Sequence, residues 1–224
     1  MVHKKYVEMQ PGKKRSVKPV DLFYFYSEKQ TSMKRGLMSG RNPFSRTTAL
    51  HDNLIESAVL IPFFRRQDGE LRFVIVRRGE LGVHAGELAF PGGKHDPADD
   101  SMLATAMREA HEETGITPAT VTIIEPLPTV VTRTTGFRIH PFLARIEPPR
   151  TWRPQAGEID EVIEVRLAPL LDPAAHSVAV MQSPEWREPQ RIQYCQVGPY
   201  RLWGASYRIL QPLLQRIAAG EGHF

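Results

Sequence analysis

This 224-residue chain is nearly devoid of cysteine: Cys195 is the only one. An intrachain disulfide is therefore excluded, and so is a cysteine-rich zinc site. Cys195 itself is expected as a packed strand residue rather than a nucleophile. Long apolar runs are also missing. The longest clear one, Ala58 to Phe64, is strand-sized and far short of a bilayer span. The N-terminus carries no apolar h-region of a secretory signal, and there is no internal repeat or low-complexity tract. With 41% hydrophobic and 24% charged residues, the chain reads as a soluble globular protein. A cytoplasmic location is the default, and a membrane is not expected as a partner.

The net charge of +4 hides an asymmetry. Residues 1–50 hold eleven lysines and arginines against three acidic residues, whereas residues 51–224 hold 18 against 22. The expected division is a basic N-terminal extension over 1–50 and a folded domain over 51–224. A basic tail can contact nucleic acid, but a solvated or partly ordered arm is the simpler expectation, and nucleic acid is not expected as a partner. Leu22-Phe23-Tyr24-Phe25-Tyr26 needs burial, against the main domain or in a homodimer.

Ser57 to Phe64 reads as a buried strand. Gln67-Asp68-Gly69-Glu70 is a turn, and Arg72 to Arg77 is the returning strand of a hairpin. Glu87 to Phe90 is a short strand entering a Gly92-Gly93 turn. A helix follows, capped by Asp100 or Ser101, with Met102, Leu103, Ala106 and Ala110 as its core stripe and Gly115 as its stop. Further strands are expected at Thr120–Glu125, Thr129–Thr132, Arg138–Ile146 and Glu161–Leu167. The stretch from Pro148 to Gly157 is a Pro-broken loop, and Ala168 to Leu171 a short helical turn. Val178–Gln182 and Arg191–Gln196 suit a late hairpin. Leu202 to Ala218 suits a second helix with Leu210, Leu213, Leu214 and Ile217 in the core. Strands interleaved with two helices indicate an α+β fold with a mixed sheet.

The most informative stretch is Phe90 to Ile116, FPGGKHDPADDSMLATAMREAHEETGI. Glu109, Glu112 and Glu113 stand at i, i+3 and i+4, so a helix projects three carboxylates from one face. Alone they repel. A hard divalent cation, Mg²⁺ or Mn²⁺, shared with substrate phosphates would reconcile them. A solvated acidic helix face is the alternative.

The whole string resembles the Nudix box, the signature of Mg²⁺-dependent hydrolases of nucleoside diphosphates linked to another group. Counting back from Arg108, the usual box glycine falls on Lys94 and the usual mid-box glutamate on Asp100. The resemblance implies a Nudix-type α/β/α sandwich, a mixed sheet between helices, over roughly residues 50–219. Glu109, Glu112 and Glu113 would hold metal, with the Gly93 carbonyl completing the set. Arg108 would pair with a box glutamate and fix its rotamer. The general base is either Glu161, where related enzymes often place an extra carboxylate, or Glu112; Glu158 and Asp160 are neighbours. Arg77, Arg78 and Arg133 are candidates for phosphate contacts, His84 for substrate binding, and Phe137 and Trp152 for stacking on adenine.

Val74-Ile75-Val76-Arg77-Arg78, His84-Ala85-Gly86-Glu87, the longer spacing from Gly93 to Arg108, Gly136 to Leu143 and Trp203-Gly204-Ala205 are similar to the coenzyme A diphosphatase branch of that family. Gly79 and Gly82 depart from it, standing where that branch usually has serine and arginine. The expected activity is hydrolysis of the diphosphate of coenzyme A or its thioesters. The alternatives are ADP-ribose, a dinucleoside polyphosphate or a nucleoside diphosphate sugar as substrate, or a non-catalytic nucleotide sensor with a nucleic-acid-contacting tail.

Overall fold

In the computed structural model, which describes residues 7–8, 54–80, 84–132, 134–182 and 186–221, the aliphatic run from Ala58 to Phe64 lies at the centre of the main sheet. The strands are β1 (Val7–Glu8), β2 (Ile55–Arg65), β3 (Leu71–Arg78), β4 (Leu88–Ala89), β5 (Gly92–Lys94), β6 (Val121–Pro126), β7 (Val130–Val131), β8 (Phe137–Ile146), β9 (Ile159–Arg166), β10 (His176–Gln182), β11 (Gln190–Val197) and β12 (Tyr200–Trp203). The helices are α1 (Met102–Thr114) and α2 (Gly204–Ala218), with short 3-10 turns at Pro118–Thr120, Ala168–Leu171 and Pro173–Ala175. The run Leu22 to Tyr26 lies outside the described residues. No helix among the described residues is long and apolar enough to cross a membrane.

Among the described residues the strands form an eight-stranded and a four-stranded sheet. The larger runs β4-β3-β2-β8-β6, with β5 on β2, β7 on β8 and β9 on β3. Only β2 and β8 run parallel, with Ile55 opposite Phe137 and Phe63 opposite Arg145; the other pairings are antiparallel. The smaller sheet runs β1-β10-β11-β12. Its first strand comes from within the stretch expected as an N-terminal extension.

Alternation along β2 sends side chains to two different layers. Ala58 and Leu60 pack with Ala106 and Ala110 of α1 and with Ala144. Ile61 and Phe63 pack with Phe73, Ile75, Cys195, Leu202, Leu210 and Leu213. The mixed sheet thus lies between α1 on one face and α2 with the smaller sheet on the other, the α+β layering expected. In the α1 layer Met107 joins Met102 against the alanines; Leu103 is half-buried.

Beyond shifts of one or two residues at strand ends, two differences from the sequence reading stand out. Gly92-Gly93 is not a turn but part of β5, whose residues 92–94 pair with Val59, Ala58 and Ser57. The second helix starts at Gly204, not Leu202. Gly198-Pro199 closes a hairpin with Val197 opposite Tyr200, and ladder pairing then carries Leu202 and Trp203 as strand.

Cys195 is fully buried in the α2 layer, and burial pushes its thiol up to about 12. Thiolate is the reactive form, so a thiol–disulfide reagent at pH 8 should leave Cys195 unmodified in the native protein. It should react stoichiometrically once denaturant is added. Fast modification of the folded chain would contradict this packing.

Candidate active site

Helix α1 is delimited by its caps. Ser101 has extended backbone, and its Oγ accepts the Ala104 N–H at 3.1 Å. At the far end Gly115 takes φ 79° and its N–H returns to His111 O. Ala106 and Ala110 add little bulk between helix and sheet, so the helix lies close enough to β5 for its glutamates to meet backbone.

That meeting is tight. A Cβ on Gly92 would stand 2.3 Å from Ala58 O and 2.6 Å from Val59 Cα, and its φ of 156° disfavours any other residue. A Cβ on Gly93 would stand 2.4–2.6 Å from the carboxyl atoms of Glu109. Glu113 is 2% exposed and its Oε2 accepts the Gly92 N–H at 3.0 Å. The Arg78 guanidinium lies 3.8 Å from its other oxygen. Burial pushes the Glu113 carboxyl up to about 7; the Gly92 N–H and Arg78 oppose this, and the charges of Glu109 and Glu158 add to it. Glu109 is also raised, first by burial, against the pull of Arg108 and with the push of Glu112 and Glu158.

Arg108 holds this acidic face together. Its Nη1 lies 3.0 Å from Glu109 Oε1 and 3.1 Å from Glu112 Oε2. Its Nε and Nη2 grip Asp99 at 2.9 and 3.0 Å. Asp99 also accepts the Thr105 hydroxyl at 2.8 Å. These contacts hold its carboxyl well below the usual carboxylate range, the Arg108 hydrogen bonds first. The mid-box acid is therefore Asp99, not Asp100, which makes no such contact with Arg108. Counting forward from Gly93 instead of back from Arg108 would have found it, because the extra residue lies after Asp99. Among the described residues no three acidic, histidine or cysteine side chains enclose a common point as they stand; Glu112 is turned to Arg108.

The structure separates the other candidates. Arg78 faces Glu113. Arg77 does not: its Nη1 lies 3.0 Å from Asp160, and its guanidinium stands over the Tyr200 ring. Glu161 accepts the Tyr200 hydroxyl at 3.0 Å. Arg77 and Glu161 are opposite each other in register, two residues beyond Ile75 and Ile163. Those isoleucines belong to the α2 layer, so Arg77 and Glu161 share the face away from α1. The carboxylate whose charge reaches Glu109 and Glu113 is Glu158.

Gly79 explains how Glu158 arrives. Its N–H donates to Glu158 O at 2.7 Å, and a Cβ there would lie 3.2 Å from that oxygen and 3.3 Å from Gly157 O. His84 Nδ1 is 3.1 Å from Glu87 Oε2, on a turn closed by the Gly86 N–H on Arg78 O. Phe137 lies under the Lys94 ammonium, 5.9 Å from its ring centre. Trp152 is committed elsewhere, donating to Glu164 at 2.8 Å and packing on Phe64. Arg133 and Gly82 lie outside the described residues.

A strand–loop–helix lined with carboxylates in this way suits a hydrolase of diphosphate linkages, and comparison with known proteins identifies its family. The NUDIX domain family matches residues 55–184. The uncharacterized Nudix hydrolases NudL of Salmonella paratyphi B and Salmonella newport are each 36% identical over 166 residues, 74% of this chain and 84% of theirs. A MutT/nudix family protein from Enterococcus faecalis has the same fold, with a TM-score of 0.51 at 16% identity, covering 92% of this chain and 76% of that one. RenU, a Nudix hydrolase from M. smegmatis, has a TM-score of 0.50 at 15% identity, covering 76% and 89%. The chain belongs to the Nudix hydrolase family and is an enzyme of the pyrophosphohydrolase class acting on nucleotide diphosphate derivatives.

Two outcomes follow from the packing. Gly92→Ala forces a methyl into backbone and should prevent folding, whereas Gly93→Ala only displaces the end of Glu109 and should leave the unfolding temperature close to native. Comparable circular-dichroism melts for both variants would contradict the contacts at β5.

For Glu113, the folded carboxyl is raised to about 7 from an ordinary value of 4.5. The folded state then holds a proton that the unfolded state has lost. Its contribution to stability is full below about 4.5 and disappears as pH rises through about 7. Metal-free protein should therefore lose stability across that window in urea titrations, and Glu113→Gln should flatten the loss. A slope identical in both proteins would show that Glu113 is not the group responsible.

Proposed function

We propose that this enzyme hydrolyses the diphosphate of coenzyme A or its thioesters, releasing a 3′,5′-bisphosphorylated adenosine and a phosphopantetheine. The observation that carries the hydrolytic reading is the pair Glu109 and Glu113 clasping Gly92-Gly93 with Arg78 alongside. The substrate reading rests on the coenzyme A diphosphatase-like segments around Val74–Gly93, Gly136–Leu143 and Trp203–Ala205. Gly79, one of the two departures from that pattern, has a reason of its own in the close approach of Glu158.

Mg²⁺ or Mn²⁺ fits this donor set. The buried Glu113 carboxylate is met by one N–H and by a guanidinium no nearer than 3.8 Å. At Gly93 a bare backbone lies beside the Glu109 carboxylate, where a side chain would push that carboxylate aside. Glu109, Glu113 and the Gly93 carbonyl would hold the ion, joined by Glu112 once its carboxylate turns from Arg108. When bound, such an ion neutralises phosphate oxygens and lowers the proton affinity of water.

The chain's own residues supply the rest. Arg78 binds a phosphate oxygen of the scissile diphosphate. Arg108, locked on Asp99, fixes the rotamer of Glu109 and balances the charge of Glu112. Glu158 takes the proton of the attacking water, since it stands near the box carboxylates whereas Glu161 lies across the sheet. His84, steadied by Glu87 on the turn that hangs from Arg78, contacts the substrate at the same edge.

Mass spectrometry after incubation with Mg²⁺ and coenzyme A, ADP-ribose or a dinucleoside polyphosphate tests the reading. Phosphopantetheine is the expected product. Turnover of the other two but not of coenzyme A would move the substrate class and keep the chemistry. Glu113→Gln should cost at least about 10²-fold in kcat with folding intact. Glu158→Gln should lower kcat about 10²- to 10⁴-fold, with a far smaller effect of Glu161→Gln. The reverse order would make Glu161 the base.

A further inference from the structure

The loop between β8 and β9 is fastened to the end of α1. The Arg153 N–H donates to Thr114 O at 3.0 Å. Trp152 is pinned by Glu164 and packs in the cluster of Phe64, Val74, Ile116 and Ile146. A Cβ on Gly115 would stand 3.1 Å from Arg153 Cβ, so the loop follows the helix end closely. Between loop and helix lies an open cleft of about 500 Å³, lined by His111, Glu112, Thr117, Arg150, Thr151 and Arg153 among others.

The charge in this cleft is unbalanced. Arg150 and Arg153 are exposed, and neither guanidinium has an ion-pair partner among the described residues. His111 is committed through Nδ1 to Ile116 O at 2.9 Å, which leaves Nε2 as its second polar atom. The one carboxylate lining the cleft, Glu112, is paired with Arg108. The end of a helix presents carbonyl oxygens and by itself disfavours an anion. Selectivity for one would have to come from the two arginines, held in place by the pinned tryptophan between them.

We propose that this cleft is the binding site for a phosphomonoester group of the substrate, remote from the diphosphate that is cut. Two arginines lining one cleft with two threonines and a histidine suit a tetrahedral dianion better than a single carboxylate. Glu112 links the two places: it lines the cleft and belongs to the Arg108 network of the active site. The same loop continues to Glu158. The inference rests on the coenzyme A reading, because a 3′-phosphate is the remote phosphomonoester of that substrate.

Binding separates the two ideas. Calorimetric titration with adenosine 3′,5′-bisphosphate and with adenosine 5′-monophosphate should show the bisphosphate binding at least about tenfold tighter to the wild-type chain, a difference typical of one charge-assisted contact set. In Arg150→Ala/Arg153→Ala, whose replaced side chains are exposed, the preference should vanish with the unfolding temperature retained. Equal affinity for the two nucleotides in the wild type, or a preference that survives in the double variant, overturns the proposal. In turnover, the ratio of kcat/KM for coenzyme A over dephospho-coenzyme A should fall about tenfold in the double variant, and an unchanged ratio counts against the cleft. A wild-type chain that cuts neither compound but shows the binding preference would sink the coenzyme A reading and leave the cleft standing.

Discussion

The hydrogen bond from the Gly92 N–H to the buried Glu113 carboxylate is the contact on which the site depends. It requires backbone of β5 and a side chain of α1 to come within 3.0 Å. That distance is reachable because α1 packs on the sheet through Ala106 and Ala110, which lie against Ala58, Leu60 and Ala144, and because Gly92 and Gly93 put no side chain in the way of Glu109 and Glu113. A buried carboxylate with only this contact and a guanidinium at 3.8 Å is expensive to ionise. The fold accepts the cost at one position and stores there an affinity for positive charge, which is what a diphosphate hydrolase of this family requires.

Arg108 answers the like-charge problem at the other end of the same face. Three carboxylates at helical spacing repel, yet Glu109 and Glu112 both lie within about 3 Å of one guanidinium. That guanidinium cannot drift, since Asp99 holds its other edge and is itself held by Thr105. The network is partly buried, so its geometry matters more than the number of ion pairs. Its effect is to orient carboxylates, not to add much stability.

Local pattern in the amino-acid sequence carries much of this arrangement. Short apolar runs on either side of the Gln67–Glu70 turn locate β2 and β3. Ser101 and Gly115 bound α1 by known cap chemistry, and the i, i+3, i+4 spacing puts the glutamates on one face. What local pattern does not carry is tertiary. A glycine pair reads as a turn unless one knows that a neighbouring strand will claim its hydrogen bonds. Two acids in a row, Asp99 and Asp100, are ranked oppositely by counting from Gly93 and from Arg108, and only the contacts of Arg108 decide for Asp99. Glu158 and Glu161 differ only in the sheet face they serve. That depends on pairing with β3 and on the bulge between Arg77 and Arg78, neither of which leaves a trace in local pattern.

The bulge also divides the labour of the sheet. Arg77 and Arg78 are adjacent and chemically identical, yet one joins Asp160, Glu161 and Tyr200 in tying the two sheets together while the other reaches Glu113. Gly79 follows and lets the β8–β9 loop close on the end of β3, so Glu158 stands on the α1 side. Three consecutive residues thus serve architecture, charge placement and backbone approach in turn. A serine at 79, as in the branch this chain resembles, would press on Glu158 O and Gly157 O. The loop that would then have to move is the one carrying Trp152, Arg153 and Glu158 together. Glycine at this position is accordingly coupled to this particular loop, because a side chain there requires the backbone at Gly157 and Glu158 to give by a few tenths of an ångström.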